Sequence, residues 1–272
     1  MEPTQMVVLG VIIVFLIIAL IYMWKWLYGN SEMEDMVIFS SPTDGLPGKD
    51  KNPTVYTTAS RVPQIYPGGE YSVSTWIYIT NWNINKGKNK PFLVLSGGGS
   101  SYMTLVMYLG QYTNKLGVRA SYESEVGGGN SGTLEEKRDY DAIVNGSGMY
   151  ADGSFNKCDI ESIDLQKWVN ITAVLSGRNL DIYMDGKLSR SCLLDGLFKS
   201  DGDVPTIKLG GPNGFGGLIG KTRAANFAYS PDRVYTNYQA GPFTTFDWGL
   251  LNPGDYSFDL KRNGKSIIGT SG

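Results

Sequence analysis

Histidine is absent from these 272 residues. That removes the commonest general base, the Ser–His and Cys–His nucleophile pairs, and imidazole metal ligands. Cysteine occurs only twice, too few for a zinc site of the usual kind. Net charge is −2, and no basic stripe stands out, so no nucleic-acid partner is expected. Short basic clusters such as Lys86, Lys88 and Lys90 lie among Asn and Gly and read as a solvated loop. No helical stretch of useful length follows residue 28. Glycine and tyrosine are plentiful, at 35 and 17 residues, which is the texture of strands and turns. The length suits one large β domain, or two small ones, with an anchor.

The anchor is "MVVLGVIIVFLIIALIYMW", Met6 to Trp24, which carries no charge. At ~1.5 Å per residue, a helix of that length nearly covers the ~30 Å hydrocarbon core of a bilayer. Leu16 lies within this run. Trp24, Trp26 and Tyr28 sit where an aromatic belt belongs, around Lys25. A cleaved signal peptide needs a basic leader and a small-residue cleavage site; "MEPTQ" and "WKWLYGN" supply neither. Residues 1–28 therefore read as a retained single-pass anchor. Lys25 leans, by the positive-inside rule, toward a cytosolic C-terminal domain.

Residues 29–70 read as a linker and a first strand, with "SSPTDGLPGKDKNP" a loop. In "YSVSTWIYIT", Val73, Thr75, Ile77 and Ile79 share one face, and Ser74, Trp76 and Tyr78 the other. Bulk on both faces suits a strand inside a two-sheet sandwich. "PFLVLSGGG", "SYMTLVMYLG" and "KLGVRASY" are further strands. Residues 123–157 are polar and Gly-rich and read as long loops at one end of the sheets. "WVNITAVLSG", "NLDIYMDG" and "KLSRSCLL" are strands joined at Gly177-Arg178-Asn179 and Asp185-Gly186, which have hairpin-turn chemistry. "TIKLGG" and "FGGLIGKTRAANFAY" follow. The expected fold is all-β, a two-sheet antiparallel jelly-roll sandwich preceded by one N-terminal transmembrane helix. The sandwich spans 71–243. Residues 244–272 form a C-terminal hairpin or docking tail, turning at Asn263-Gly264.

"STWIYI", "IESIDLQKWVNITAVLSGRNLDIYMDGKL" and "FGGLIGKTRAANFAYSPDRVYTNYQAGP" together resemble laminin-G-like jelly-roll domains of the concanavalin A-like lectin/glucanase superfamily. The resemblance covers about Tyr71 to Pro242. It implies a fold that hosts lectins, hydrolases and scaffolds alike. "CDIESIDLQKWVNI", "DIYMDGKLSRSC" and the "YQAGP" exit also resemble jelly-roll domains in structural proteins of large DNA viruses of algae and protists. Their two cysteines would correspond to Cys158 and Cys192. A bridge between these would close a loop worth ~3 to 4 kcal/mol by chain entropy; two buried thiols are the alternative.

Trp76 and Trp168 read as core, whereas Trp82, in the loop "TNWNINKGKN", is the better candidate for ligand contact. Glycoside hydrolysis needs two carboxylates ~5 to 9 Å apart. Asp159, Glu161 and Asp164 in "DIESIDL" have the wrong spacing, and Glu123 and Glu125 in "YESEV" lack a third acid, so no catalytic set is expected. Laminin-G-like domains sometimes hold calcium at the rim. Asp201 and Asp203, with Asp152 and Asn213 in other loops, offer hard oxygen ligands, although solvated acidic turns read the same way. No cofactor beyond that possible calcium is implied. Asn145-Gly-Ser and Asn170-Ile-Thr have the form of glycosylation acceptors.

Two functions of different classes fit. One is a non-enzymatic, membrane-tethered structural protein, such as a viral minor capsid protein linking the capsid shell to an internal membrane, with capsid or neighbouring subunits as partners. The other is a cell-surface lectin or adhesin that binds glycans. The resemblance to viral proteins favours the first.

Overall fold

The computed structural model describes residues 13–20, 23, 34–46, 54–56, 62–66, 68–97, 102–123, 134–135, 142–145, 147, 158–200, 205–210, 214–243, 260–262 and 265–268. Strands are numbered in chain order: β1 (Asp35–Phe39), β2 (Thr43–Asp44), β3 (Thr54–Tyr56), β4 (Glu70–Asn81), β5 (Lys90–Gly97), β6 (Tyr102–Leu109), β7 (Leu116–Ala120), β8 (Tyr122–Glu123) and β9 (Leu134–Glu135). They continue as β10 (Trp168–Ser176), β11 (Asn179–Met184), β12 (Lys187–Leu193), β13 (Leu197–Phe198), β14 (Pro205–Leu209), β15 (Gly216–Ala225), β16 (Leu260–Arg262) and β17 (Lys265–Ile268).

The first sheet runs β1-β15-β4-β10-β11-β12, with β2 also on β15. The second runs β3-β14-β5-β6-β7, with β9 also on β6. All these pairings are antiparallel. Alternation along each strand supplies the core. From the first sheet come Val73, Ile77, Ile79, Val169, Ile171 and Ile182, and from the second Leu93, Leu95, Leu105, Met107 and Val118. All are essentially inaccessible to water, and burial of this kind is the main favourable term in holding the two layers together. The β16–β17 ribbon pairs only with itself among the described residues.

The outward residues of β4 and β10 are also buried, because a further layer covers them. A helix, Pro231–Gln239, follows β15 and lies over this outer face. Beneath it Val174, Tyr183, Ala225, Tyr229 and Val234 form a small second core. Trp76 stacks on Tyr238 with ring centroids 5.6 Å apart, and Trp168 meets Tyr78 and Phe243 edge-on or tilted. Both tryptophans thus pack outside the sandwich core, under the covering segment. The expectation of no helix after residue 28 is therefore corrected. "SPD" starts this helix: Ser230 accepts from the Arg233 N–H, Pro231 fills the first turn and Asp232 suits its positive end.

The polar residues under the cover are paired with one another. Asn170 Nδ2 donates to Ser74 Oγ (3.1 Å), and Thr172 Oγ1 donates to Ser74 Oγ (2.8 Å). The Asp185-Gly186 turn has positive φ at both positions, 48° and 77°, the geometry of a tight hairpin. A Cβ at Gly186 would lie 3.0 Å from Tyr235 of the covering helix, so turn and cover both require glycine there.

The edge strand β1 is fastened by charge. Asp35 accepts from Tyr229 Oη (2.8 Å), from Arg223 and from Arg233. Burial alone would push its carboxyl up, but the hydrogen bonds from Arg233 and Tyr229 and the charge of Arg223 hold it below the ordinary carboxylate range. Stability from this cluster is therefore complete above the unfolded value near 3.8 and is lost as pH falls through the lower folded value. Asp35→Asn is expected to cost about 2 kcal/mol at neutral pH. In urea titrations, the gap from the wild type should narrow as pH falls below 3.8; a gap that stays constant into acid would contradict this role.

Candidate functional site

The sandwich has two unlike ends. At the first, β1, β10 and β12 meet the starts of β4 and β11, and Glu34 is tied to Asn226 by its backbone. The described chain enters the sandwich at this end, at Glu34. Residues 13–20 are helical, and every one is exposed, including Leu16 at 57%. Among the described residues, no helix is long and apolar enough to cross a membrane. Met6, Trp24, Lys25 and Trp26 lie outside the described residues.

At the opposite end, residues 82–89, 110–115 and 161–167 come together. Their side-chain amides tie them to one another and to the backbone around them. Asn89 Nδ2 donates to Ile143 O (2.6 Å), Asn114 Nδ2 to Ile163 O (2.7 Å) and Asn85 Nδ2 to Gly214 O (3.3 Å). Gly87 N donates to Gln111 O (3.2 Å), joining the first two loops directly. Lys90 anchors them from below: its ammonium is fully buried, donates to Gly110 O (3.0 Å) and lies 4.2 Å from the centre of the Trp82 ring. Trp82 is partly buried against the main core. Its indole N–H is buried and finds no acceptor among the described residues. Trp82, the ligand-contact candidate, is thus half-buried, its ring drawn toward the Lys90 cation and the core.

Burial pushes the Lys90 ammonium down to about 8. Between that value and the ordinary 10.5, the unfolded chain holds the proton and the folded chain does not. Unfolding free energy therefore rises with pH across this window. Lys90→Met is expected to remove on the order of 2–3 kcal/mol of that rise, read from urea titrations at either end of the window. An unchanged slope would show that Lys90 keeps its charge at low cost.

At the loop end Tyr112, at 61% exposure, faces water with Lys86 and Lys88, as do Glu161 and Asp164 of the third loop. Gly87, at φ 82°, lies between the two lysines; a Cβ built there would be 3.9 Å from both Tyr112 Cε1 and its hydroxyl. The tyrosine ring thus rests over the glycine, flanked in sequence by both ammonium groups. Sequence reading missed Tyr112, and the only signal was an aromatic inside the polar turn "GQYTNK".

The remaining carboxylates do not converge. Asp159 is buried, pairing with Arg119 and with Lys115 Nζ at 2.8 Å. Asp164 pairs with Lys167 at 2.6 Å, and Glu123 lies 3.9 Å from Lys199. Glu161 is exposed. Asp201, Asp203, Asp152, Asn213 and Glu125 lie outside the described residues. Among the described residues, no group of acids or cysteines is placed to hold a metal ion. Asn145 is exposed, whereas Asn170 is inaccessible beneath the cover.

Cys158 and Cys192 form a disulfide with Cα atoms 5.8 Å apart. It belongs to a seam that closes the side of the sandwich. Ile160 exchanges backbone hydrogen bonds with Leu116 of β7 (2.8 and 2.9 Å), and Arg190 of β12 donates to Asp159 O (2.7 Å). Residues 158–160 thus join the edge strands of the two sheets.

No family model matches this chain, and no curated protein matches it. Among solved structures, it is similar to the botulinum neurotoxin serotype G binding domain, at 13% identity over 65% of this chain and 37% of that one, with a TM-score of 0.40. It is similar to Trypanosoma rangeli sialidase at 12% identity over 70% and 27%, with a TM-score of 0.40. It is also similar to botulinum neurotoxin type C, described by its interaction with two ganglioside molecules, at 13% identity over 76% and 46%, with a TM-score of 0.45. The chain spans less than half the length of each of these structures. The sandwich itself is established by the strand pairing described above.

Proposed function

We propose that this chain is a non-enzymatic carbohydrate-binding module, held at a membrane by its apolar N-terminal helix and displayed on the oxidising side. The observation that carries this reading is the polarity of the sandwich. The tether joins one end, and the loops at the other present an exposed aromatic ring on a braced, polar surface. An aromatic face beside amide and ammonium donors suits a sugar, which has an apolar ring face and a rim of hydroxyls.

Two further observations support the setting. An apolar helix exposed on every side is stable only when lipid or protein covers it. A buried disulfide fits a domain that matures in an oxidising compartment. That favours an outward domain over the cytosolic one suggested by Lys25 alone. The competing expectation, a minor capsid protein tying a shell to an internal membrane, shares the anchor and the sandwich but draws nothing from the loop end. Full-length protein in nanodiscs, probed against a printed glycan array, tests the reading. Retained glycans left chemically intact are expected; hydrolysed glycans, or an array with no signal, would overturn it.

A further inference from the structure

Two neighbouring loops at the end away from Glu34 carry exposed lysines and no carboxylate. "NWNINKGKN", residues 81–89, holds Lys86 and Lys88 and no carboxylate, and "GQYTNK", residues 110–115, adds Lys115 and again no carboxylate. Lys115 is taken up by Asp159, whereas Lys86 and Lys88 are exposed. The third loop of this end, residues 161–167, holds exposed Glu161 and Asp164, and Asp164 pairs with Lys167 at 2.6 Å.

We propose that Tyr112, Lys86 and Lys88 bind an acidic saccharide, a pyranose bearing a carboxylate or a sulfate. This inference rests on the carbohydrate-binding reading and names the ligand class of that site. The ring offers a face for the sugar's C–H side. The ammonium groups, one residue to either side of the glycine under that ring, complement the anionic substituent. The loops are already braced by Asn85, Asn89, Asn114 and Lys90, so little ordering is required on binding. These two loops lie at the end of the sandwich away from Glu34, so they face outward from the tether.

The test uses full-length protein in zwitterionic nanodiscs with 3′-sialyllactose, a heparin hexasaccharide and lactose as probes, read by isothermal calorimetry. One or both acidic probes should bind at least about tenfold tighter than lactose, and which one binds identifies carboxylate or sulfate. Lys86→Ala with Lys88→Ala should lower that affinity about tenfold and flatten its salt dependence. Tyr112→Ala should weaken the acidic probe and lactose alike. All these side chains are exposed, and unchanged thermal unfolding of the variants would show that the fold is intact. Lactose binding as well as the acidic probes, with the lysine variant unaffected, would overturn the acidic ligand and leave carbohydrate binding standing. Silence from all three probes would overturn this inference; a positive array alongside that silence would leave carbohydrate binding intact, and a silent array would remove both.

Discussion

Asp159→Ala is expected to lower the unfolding free energy by about 3–5 kcal/mol. The carboxylate and the Arg119 guanidinium are each nearly inaccessible, at 3% and 6% exposure. Removing the acid takes from the buried β7 guanidinium the carboxylate that accepts from both its Nη1 and Nη2 groups. Lys115, at 18% exposure, sits nearer to water and suffers less. The loss measures the cost of breaking a buried charge pair by one partner more than the worth of the pair itself. Asp159→Leu combined with Arg119→Met should therefore cost less than Asp159→Ala alone, because neither charge then remains. Guanidinium titration followed by tryptophan fluorescence reads both. A loss below about 1 kcal/mol, the range of an exposed ion pair, would contradict the seam as a buried charge lock.

Removing the disulfide by Cys158→Ala with Cys192→Ala is the second large effect. The bridge spans 34 residues in sequence, and chain entropy for such a loop gives about 4 kcal/mol. Alanine avoids burying a new hydroxyl, since both sulfurs sit in the core. The effects of the bridge and of Asp159 should not add, because residue 159 is held in place by the bridge beside it. A triple variant that loses the plain sum of the two would show that bridge and ion pair act separately. Reductant should lower the wild type's midpoint and leave the alanine pair unchanged.

The parts of this fold legible in sequence are those built on short-range pattern. The alternation in "YSVSTWIYIT" and the Asp185-Gly186 turn mark β4 and the β11–β12 hairpin, because a strand has period two and a tight turn requires positive φ. What escaped depends on partners distant in the chain. The Asp159–Arg119 pair has no local signature. The Pro231–Gln239 helix is short, and its Val, Thr and Tyr residues favour strands, so only its Ser-Pro-Asp start announces it. Trp82 looked exposed because its neighbours are polar, yet those asparagines bond to loop backbones while the indole turns toward Lys90 and the core. Tyr112 was overlooked because a lone aromatic in a turn gains meaning only when a second loop brings lysines beside it.

The central claim, a binding module displayed outward from a membrane, is tested most directly by topology. The full chain, with Asn145→Gln alongside, is translated into microsomes and treated with protease. The account predicts a protected domain, the Cys158–Cys192 bridge formed, and a glycan-dependent mass shift that Asn145→Gln abolishes, since Asn145 is the exposed acceptor and Asn170 is inaccessible. A domain that is digested, unshifted and reduced would place it on the cytosolic face and contradict the account.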